Sequence, residues 1–165
     1  MITSAILGVN YVNATPAELE PDPAIVEVAQ AFAAKSGATI TVTNDPVEAV
    51  RHADAVYTNV WAAMGEESQF AERVRLMAPY QVNAELVSHI ENPDWIFLHC
   101  LPAFHNAETD YAADIKDKHG IEAMEVTDDV FYCDRGRQFE QAENRMHTIK
   151  AIMAATLGNL YIPRV

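Results

Sequence analysis

The stretch that most constrains this chain is Trp95-Ile96-Phe97-Leu98-His99-Cys100-Leu101-Pro102-Ala103-Phe104-His105-Asn106, an apolar run that ends abruptly in reactive side chains. Consecutive apolar residues followed by a proline, which cannot donate to a sheet ladder, predict a central parallel strand that stops at Cys100. In open α/β sheets ligands bind beyond the carboxyl ends of the strands. His99, Cys100, Leu101 and His105 therefore stand where a substrate is expected.

The remaining segments alternate strand and helix around that run. Residues 1–9 read as the tail of an apolar helix, and Asn10 to Ala14 as a short strand entering the Thr15-Pro16 turn. After Pro21-Asp22-Pro23, Ala24 to Lys35 sets Ile25, Val28, Ala29 and Phe32 on one helical face, and Ser36-Gly37 closes that helix. Ala38 to Thr43 is rich in β-branched residues and reads as a strand, with Asn44-Asp45-Pro46 opening a short helix through Val50. Asp54 to Val60 is the next strand. A loop from Trp61 to Glu67 leads to a helix from Gln69 to Met77, stopped by Pro79, and a second helix covers Ala84 to His89. Beyond the signature strand come a helix from Tyr111 to His119, a short edge strand from Glu122 to Val126, an irregular segment at 133–137, and a long helix from Phe139 to Leu157. This alternation predicts an α/β fold, a doubly wound, Rossmann-like parallel sheet flanked by helices. No GxGxxG follows any strand, which argues against a dinucleotide-binding dehydrogenase.

Composition removes further classes. The formal net charge is -13, from 24 acidic and 11 basic residues, so nucleic acid is not an expected partner. No apolar run approaches the roughly 20 residues that span a bilayer, and the start of the chain lacks a secretory signal. The expectation is a cytoplasmic protein with no membrane partner. With 165 residues, half of them hydrophobic, the chain suffices for one domain with a real core. Cys100 and Cys133 are its two cysteines and read as free thiols.

Cys100 admits two readings. A neighbouring imidazolium would make it a nucleophile, but successive strand residues point to opposite faces, which argues against a pair with His99 and leaves a small core residue as the alternative. A zinc site from His99, Cys100, His105 and Cys133 lacks the short paired spacing of a tetrahedral centre, so no metal is expected. Leu101-Pro102 is either a trans proline closing the strand or a cis bond. Arg145, in Glu143-Asn144-Arg145-Met146-His147-Thr148, reads as a surface ion-pair partner of Glu143 or Glu140. At a helix start with free backbone N–H groups nearby it would instead suit an anion.

Three of these segments resemble the ornithine carbamoyltransferases. His99 to His105 matches that family's His-Cys-Leu-Pro-Ala-Phe-His signature at every position, and Glu143-Asn144-Arg145 resembles its C-terminal Glu-Asn-Arg motif. Tyr57 to Gly65 is similar to the ornithine-binding segment, whose usual form is Asp-Val-Trp-Val-Ser-Met-Gly. The likeness extends to Pro79-Tyr80-Gln81-Val82-Asn83 and to Met124-Glu125-Val126-Thr127-Asp128, and it fits only the C-terminal half of the family. It implies a cis Leu101–Pro102 bond and two catalytic residues, Cys100 and Arg145, the latter facing carbamoyl phosphate. It also implies substrate contacts at Asn59, Ala63, Met64, His99, Cys100, Leu101 and Arg145. Two positions depart from the pattern. Asn59 stands where the family has the aspartate that grips the α-ammonium, and Ala63 where it has the loop serine. An amide in place of a carboxylate loses a charge-assisted hydrogen bond, on the order of 1.5–3 kcal/mol, or roughly ten- to a hundredfold in affinity.

The resemblance further implies transfer of a carbamoyl group from carbamoyl phosphate to ornithine, giving citrulline and phosphate in arginine metabolism. It implies no cofactor, and a homo-oligomer built on trimers. The family's carbamoyl-phosphate domain, with its Ser-Thr-Arg-Thr motif, has no counterpart in this sequence, nor has the first strand of the ornithine domain. The expectation is an ornithine-binding domain over 1–165, truncated at its N-terminus, lacking its first central strand, inactive alone and prone to associate with itself or a carbamoyl-phosphate-binding domain. The alternative is a noncatalytic amino-acid-binding or interaction module on the same fold.

Overall fold

The structure, a computed structural model, describes residues 1–61 and 70–158. Short β-branched runs form its strands. β1 (Tyr11–Ala14) pairs in parallel with β2 (Ile40–Thr43), Tyr11 opposite Ile40 and Ala14 opposite Thr43. β3 (Ala55–Thr58) pairs in parallel with β4 (Ile96–His99), Ala55 opposite Ile96 and Thr58 opposite His99. Parallel neighbours require crossovers, and helices supply them. The helices are α1 (Ile2–Leu7), α2 (Pro23–Ser36), α3 (Pro46–Val50), α4 (Phe70–Met77), α5 (Ala84–Val87), α6 (Asp110–His119), α7 (Asp128–Phe131) and α8 (Gln138–Leu157). The chain is thus mixed α/β with parallel strands flanked by helices.

Local chemistry fixes the helix ends. Asp22 caps α2 by accepting the Ala24 N–H, and Asp45 caps α3 by accepting those of Val47 and Glu48; in both a proline opens the first turn. Asn83 accepts from Leu86 at the start of α5, and Thr109 from Ala112 at the start of α6. At the other end of α2 the backbone turns left-handed at Gly37 (φ 85°), so that its N–H reaches the Ala33 carbonyl.

The structure corrects three boundaries, each because a side chain or a turn diverts ladder groups. Glu122 to Val126 does not form the expected edge strand; a single parallel bridge joins Val82 and Val126. The Gln81 side-chain amide donates to the Ala123 and Met124 carbonyls, which a neighbouring strand would otherwise use. β3 ends at Thr58 rather than Val60, because Asn59 Oδ1 takes the Val60 N–H. β4 ends at His99, since Leu101 turns into the left-handed region (φ 54°) before the cis Leu101–Pro102 bond. α7 was not expected; its single turn is too short to leave a periodic pattern. The expected start of α4 at Gln69 lies outside the described residues.

The core follows the same division. Val50, Val56, Val82, Leu86, Trp95, Phe97, Val126, Val130 and Phe131 pack as one cluster around β3 and β4. Each such side chain contributes roughly 1.5–3 kcal/mol on burial. A smaller cluster of Ala5, Ala29 and Ala33 joins α1 to α2. Small residues let the two helices approach closely. Among the described residues no helix is long and apolar enough to cross a membrane.

The two parallel pairs do not join into one sheet among the described residues. Residues of both β1 and β3 instead line a groove of about 180 Å³, and the half-buried Tyr11 phenol there is pushed above its ordinary pKa by burial. Open ladder edges and exposed Ile6, Leu7, Val12 and Tyr57 favour association. We expect sedimentation and thermal melts of the chain to depend on its concentration. A monodisperse monomer with a concentration-independent melt would contradict this.

Candidate functional site

The register of β3 and β4 ends both strands at the same level, Thr58 beside His99, and α8 packs against β4. The cleft they form holds about 490 Å³ and is bordered by Tyr57, His99, Cys100, Gln141, Asn144 and Arg145 among others. It brings Cys100 of the signature run together with Asn144 and Arg145 of the second motif, more than forty residues away in sequence. A larger cavity, about 680 Å³, opens beside Trp95, Cys133 and Arg135 and includes none of the residues from His99 to His105. Volume alone would select that cavity, but the convergence of two motifs selects the smaller cleft.

Strand alternation separates His99 from Cys100. The imidazole is 1% exposed and both of its nitrogens are engaged: Nδ1 accepts the Leu101 N–H at 2.8 Å and Nε2 lies 3.1 Å from Glu125 Oε1. Because Nδ1 accepts, the proton of the neutral ring sits on Nε2 and donates to Glu125. No ring nitrogen remains to serve as a base for Cys100, and the imidazole itself does not face the cleft. His99 therefore borders the site through its backbone, which narrows the substrate-contact role expected for it.

Cys100, partly exposed, turns the other way. Its thiol donates to Asn59 Oδ1 at 2.9 Å, and the same oxygen takes the Val60 N–H at 2.8 Å. Asn59 is thus bonded to Cys100 without itself bordering the cleft, while Ala63 and Met64 lie outside the described residues. Leu101, half-buried, packs against the main core cluster.

Arg145 lies two turns inside α8 rather than at its start, because the helix begins at Gln138. Its neighbours' backbone N–H groups are consumed by the helix, so the expected free donors are not beside it. The ion pair expected with Glu143 or Glu140 is not formed either. Glu140 pairs with Arg137 at 3.4 Å, and exposed Arg145 has no ion pair to a described residue. Its guanidinium is left available on the cleft wall. Gln141 reaches across to the Tyr57 hydroxyl at 3.2 Å, closing the cleft between α8 and β3. Among the described residues no cluster of His, Cys, Asp and Glu is arranged to hold a metal ion.

His105, at the end of the signature, does not line this cleft. Its Nδ1 is 2.6 Å from Asp128, its ring stacks on Phe131 at 3.9 Å between centroids, and Asn106 also donates to Asp128. This contact anchors the loop's far end to α7. Sequence reasoning missed Glu125, Asp128 and Gln141. For Glu125 a signal existed, since a carboxylate between Met124 and Val126 interrupts an apolar run.

The sequence profile of the aspartate/ornithine carbamoyltransferase Asp/Orn-binding domain matches residues 1–156. The chain belongs to that family. It is similar to the catabolic ornithine carbamoyltransferase of Streptococcus gordonii, with 60% identity over all 165 residues, which is 49% of that protein. Among solved structures it is similar to the ornithine carbamoyltransferase of Pyrococcus furiosus, with TM-score 0.78 and 40% identity over 95% of this chain and 44% of the other. It is also similar to the enzyme of Gloeobacter violaceus, with TM-score 0.76 and 34% identity over 95% of this chain and 46% of the other. The chain spans about half the length of the curated relatives it matches.

For an Asp/Orn-binding domain, a partly exposed Cys100 on the cleft lining gives a direct readout of occupancy. Thiol reagents reach Cys100 and Cys133, which are both partly exposed. A bound ornithine analogue such as norvaline is expected to slow modification of Cys100 and leave Cys133 unchanged, as read by peptide mass spectrometry. Equal Cys100 rates with and without the analogue would count against the cleft as the ligand site.

Proposed function

We propose that this chain supplies the amino-acid-binding half of an ornithine carbamoyltransferase, 1–165 forming its ornithine-binding domain. In that reaction the lone pair of the ornithine δ-amine attacks the carbamoyl carbon of carbamoyl phosphate. The C–O bond to phosphate breaks with its electron pair, the amine releases a proton, and citrulline and phosphate leave. The work is positioning and stabilisation of developing charge, and it calls for donors from a carbamoyl-phosphate-binding domain as well as from this chain.

The observation that carries this reading is the convergence of Cys100 and Arg145, from separate motifs, on one cleft at the ends of β3 and β4. Arg145 would face the anionic carbamoyl phosphate, for which a planar fork of donors is suited. Cys100, the backbone at His99 and Leu101, Asn59, and the 63–64 segment would surround ornithine. A trimer-based homo-oligomer completes the proposal. Citrulline formation tests it. The chain alone is expected to yield none, and addition of a carbamoyl-phosphate-binding domain is expected to restore it; robust turnover by the chain alone would contradict the division of labour.

A second reading, a noncatalytic amino-acid-binding module, draws support from Asn59, whose amide oxygen is already occupied by the Cys100 thiol and the Val60 N–H. An amide offers an ammonium no full charge. Converting Asn59→Asp together with Ala63→Ser is expected to tighten ornithine binding by about tenfold or more, the scale of one charge-assisted hydrogen bond. An unchanged Kd by calorimetry would mean that this segment does not contact the ligand's amine.

A further inference from the structure

We propose that Glu125 is a positioning residue for the cleft, acting through the His99 imidazole and the Phe104 amide on the loop that carries Cys100. This rests on the cleft being the amino-acid site described above.

Glu125 is fully buried, and its Oε1 accepts two hydrogen bonds, from His99 Nε2 at 3.1 Å and from the Phe104 N–H at 2.8 Å. These donors stand at the two ends of the span His99–Phe104, so one oxygen atom fixes the loop's entry and its exit. Between them lie Cys100 and the left-handed Leu101, whose N–H returns to His99 Nδ1. An acceptor at Nε2 keeps the ring proton there and leaves Nδ1 bare for Leu101. The carboxylate thus sets the tautomer, the tautomer holds the turn, and the turn aims Cys100 at Asn59.

The carboxylate is held firmly from behind. The Glu125 carbonyl accepts the Val82 N–H, and the Met124 N–H donates to the Phe104 carbonyl, which ties the segment to the loop a second time. Yet among the described residues Glu125 Oε2 is buried with no hydrogen-bond partner, and no lysine or arginine pairs with this carboxylate. Burying a carboxylate on such terms is costly, and an apolar side chain would fill the space with less penalty. Control of the loop accounts for a carboxylate in this position.

The test separates geometry from general stability by using Cys100 alkylation as its readout, with Cys133 in the same chain as the reference. Glu125→Asp keeps the charge but draws the carboxylate back from both donors. Glu125→Gln keeps the reach and an accepting oxygen. The expected result is that iodoacetamide modifies Cys100 about fivefold faster in Glu125→Asp, the scale set by loss of one hydrogen bond of ordinary net strength, while Cys133 is unchanged. Glu125→Gln is expected to stay within about twofold of the parent chain on the same scale. If Glu125→Asp leaves Cys100 at the parent rate, or accelerates both cysteines alike with a lowered melting temperature, the proposal is overturned. Norvaline added to the parent chain distinguishes the underlying reading. Absence of protection there, alongside the Cys100-specific effect of Glu125→Asp, would reject the amino-acid site and leave the loop assignment standing.

Discussion

A neutral imidazole donating to a buried carboxylate, His99 to Glu125, is the contact on which the business end of this molecule depends. It joins the end of β4 to the Met124–Val126 segment, and through Phe104 it closes the loop between them. Neither partner can be removed cheaply, because a buried donor or acceptor left unmade costs on the order of 1–3 kcal/mol against a total stability of about 5–15 kcal/mol. The pair is polar because it has to orient a loop, which apolar packing, being non-directional, does poorly.

Function follows from where that loop is delivered. The register of β3 against β4 sets Asn59 and Cys100 next to one another, and α8 lays Arg145 along the same cleft. The site therefore collects a thiol, an amide and a guanidinium from three parts of the chain. Its only charge among the bordering residues named is the arginine's, in a protein whose overall charge is strongly negative. Such a local reversal of sign suits an anionic ligand.

Much of this was legible in the sequence, for identifiable reasons. The strands and the longer helices announced themselves through β-branched runs, helical spacing and the Asp-Pro caps at Asp22 and Asp45, all of which act locally. The cleft's membership was legible because strand alternation alone turns Cys100 away from His99, and because the resemblance joined two distant motifs. What escaped was long-range. Gln81 intercepts the carbonyls of Ala123 and Met124, and so abolishes an expected strand; its partners are over forty residues away. The Glu125 carboxylate stood out between Met124 and Val126, but its role did not, since its two donors come from another segment. The start of α8 was read to within one residue, at Phe139 against Gln138, and that start already sets Arg145 well inside the helix rather than at its first turn.

Amide hydrogen exchange at Leu101 and Phe104 tests the central claim most directly. Both lie in a loop outside any ladder, the Leu101 N–H donating to His99 Nδ1 and the Phe104 N–H to Glu125 Oε1. If the buried pair holds the loop, both amides exchange slowly, with protection comparable to the ladder amides of β4. Exchange at the rate of open loop amides would show that the loop is not held by this pair, and the account of the cleft built on it would fail.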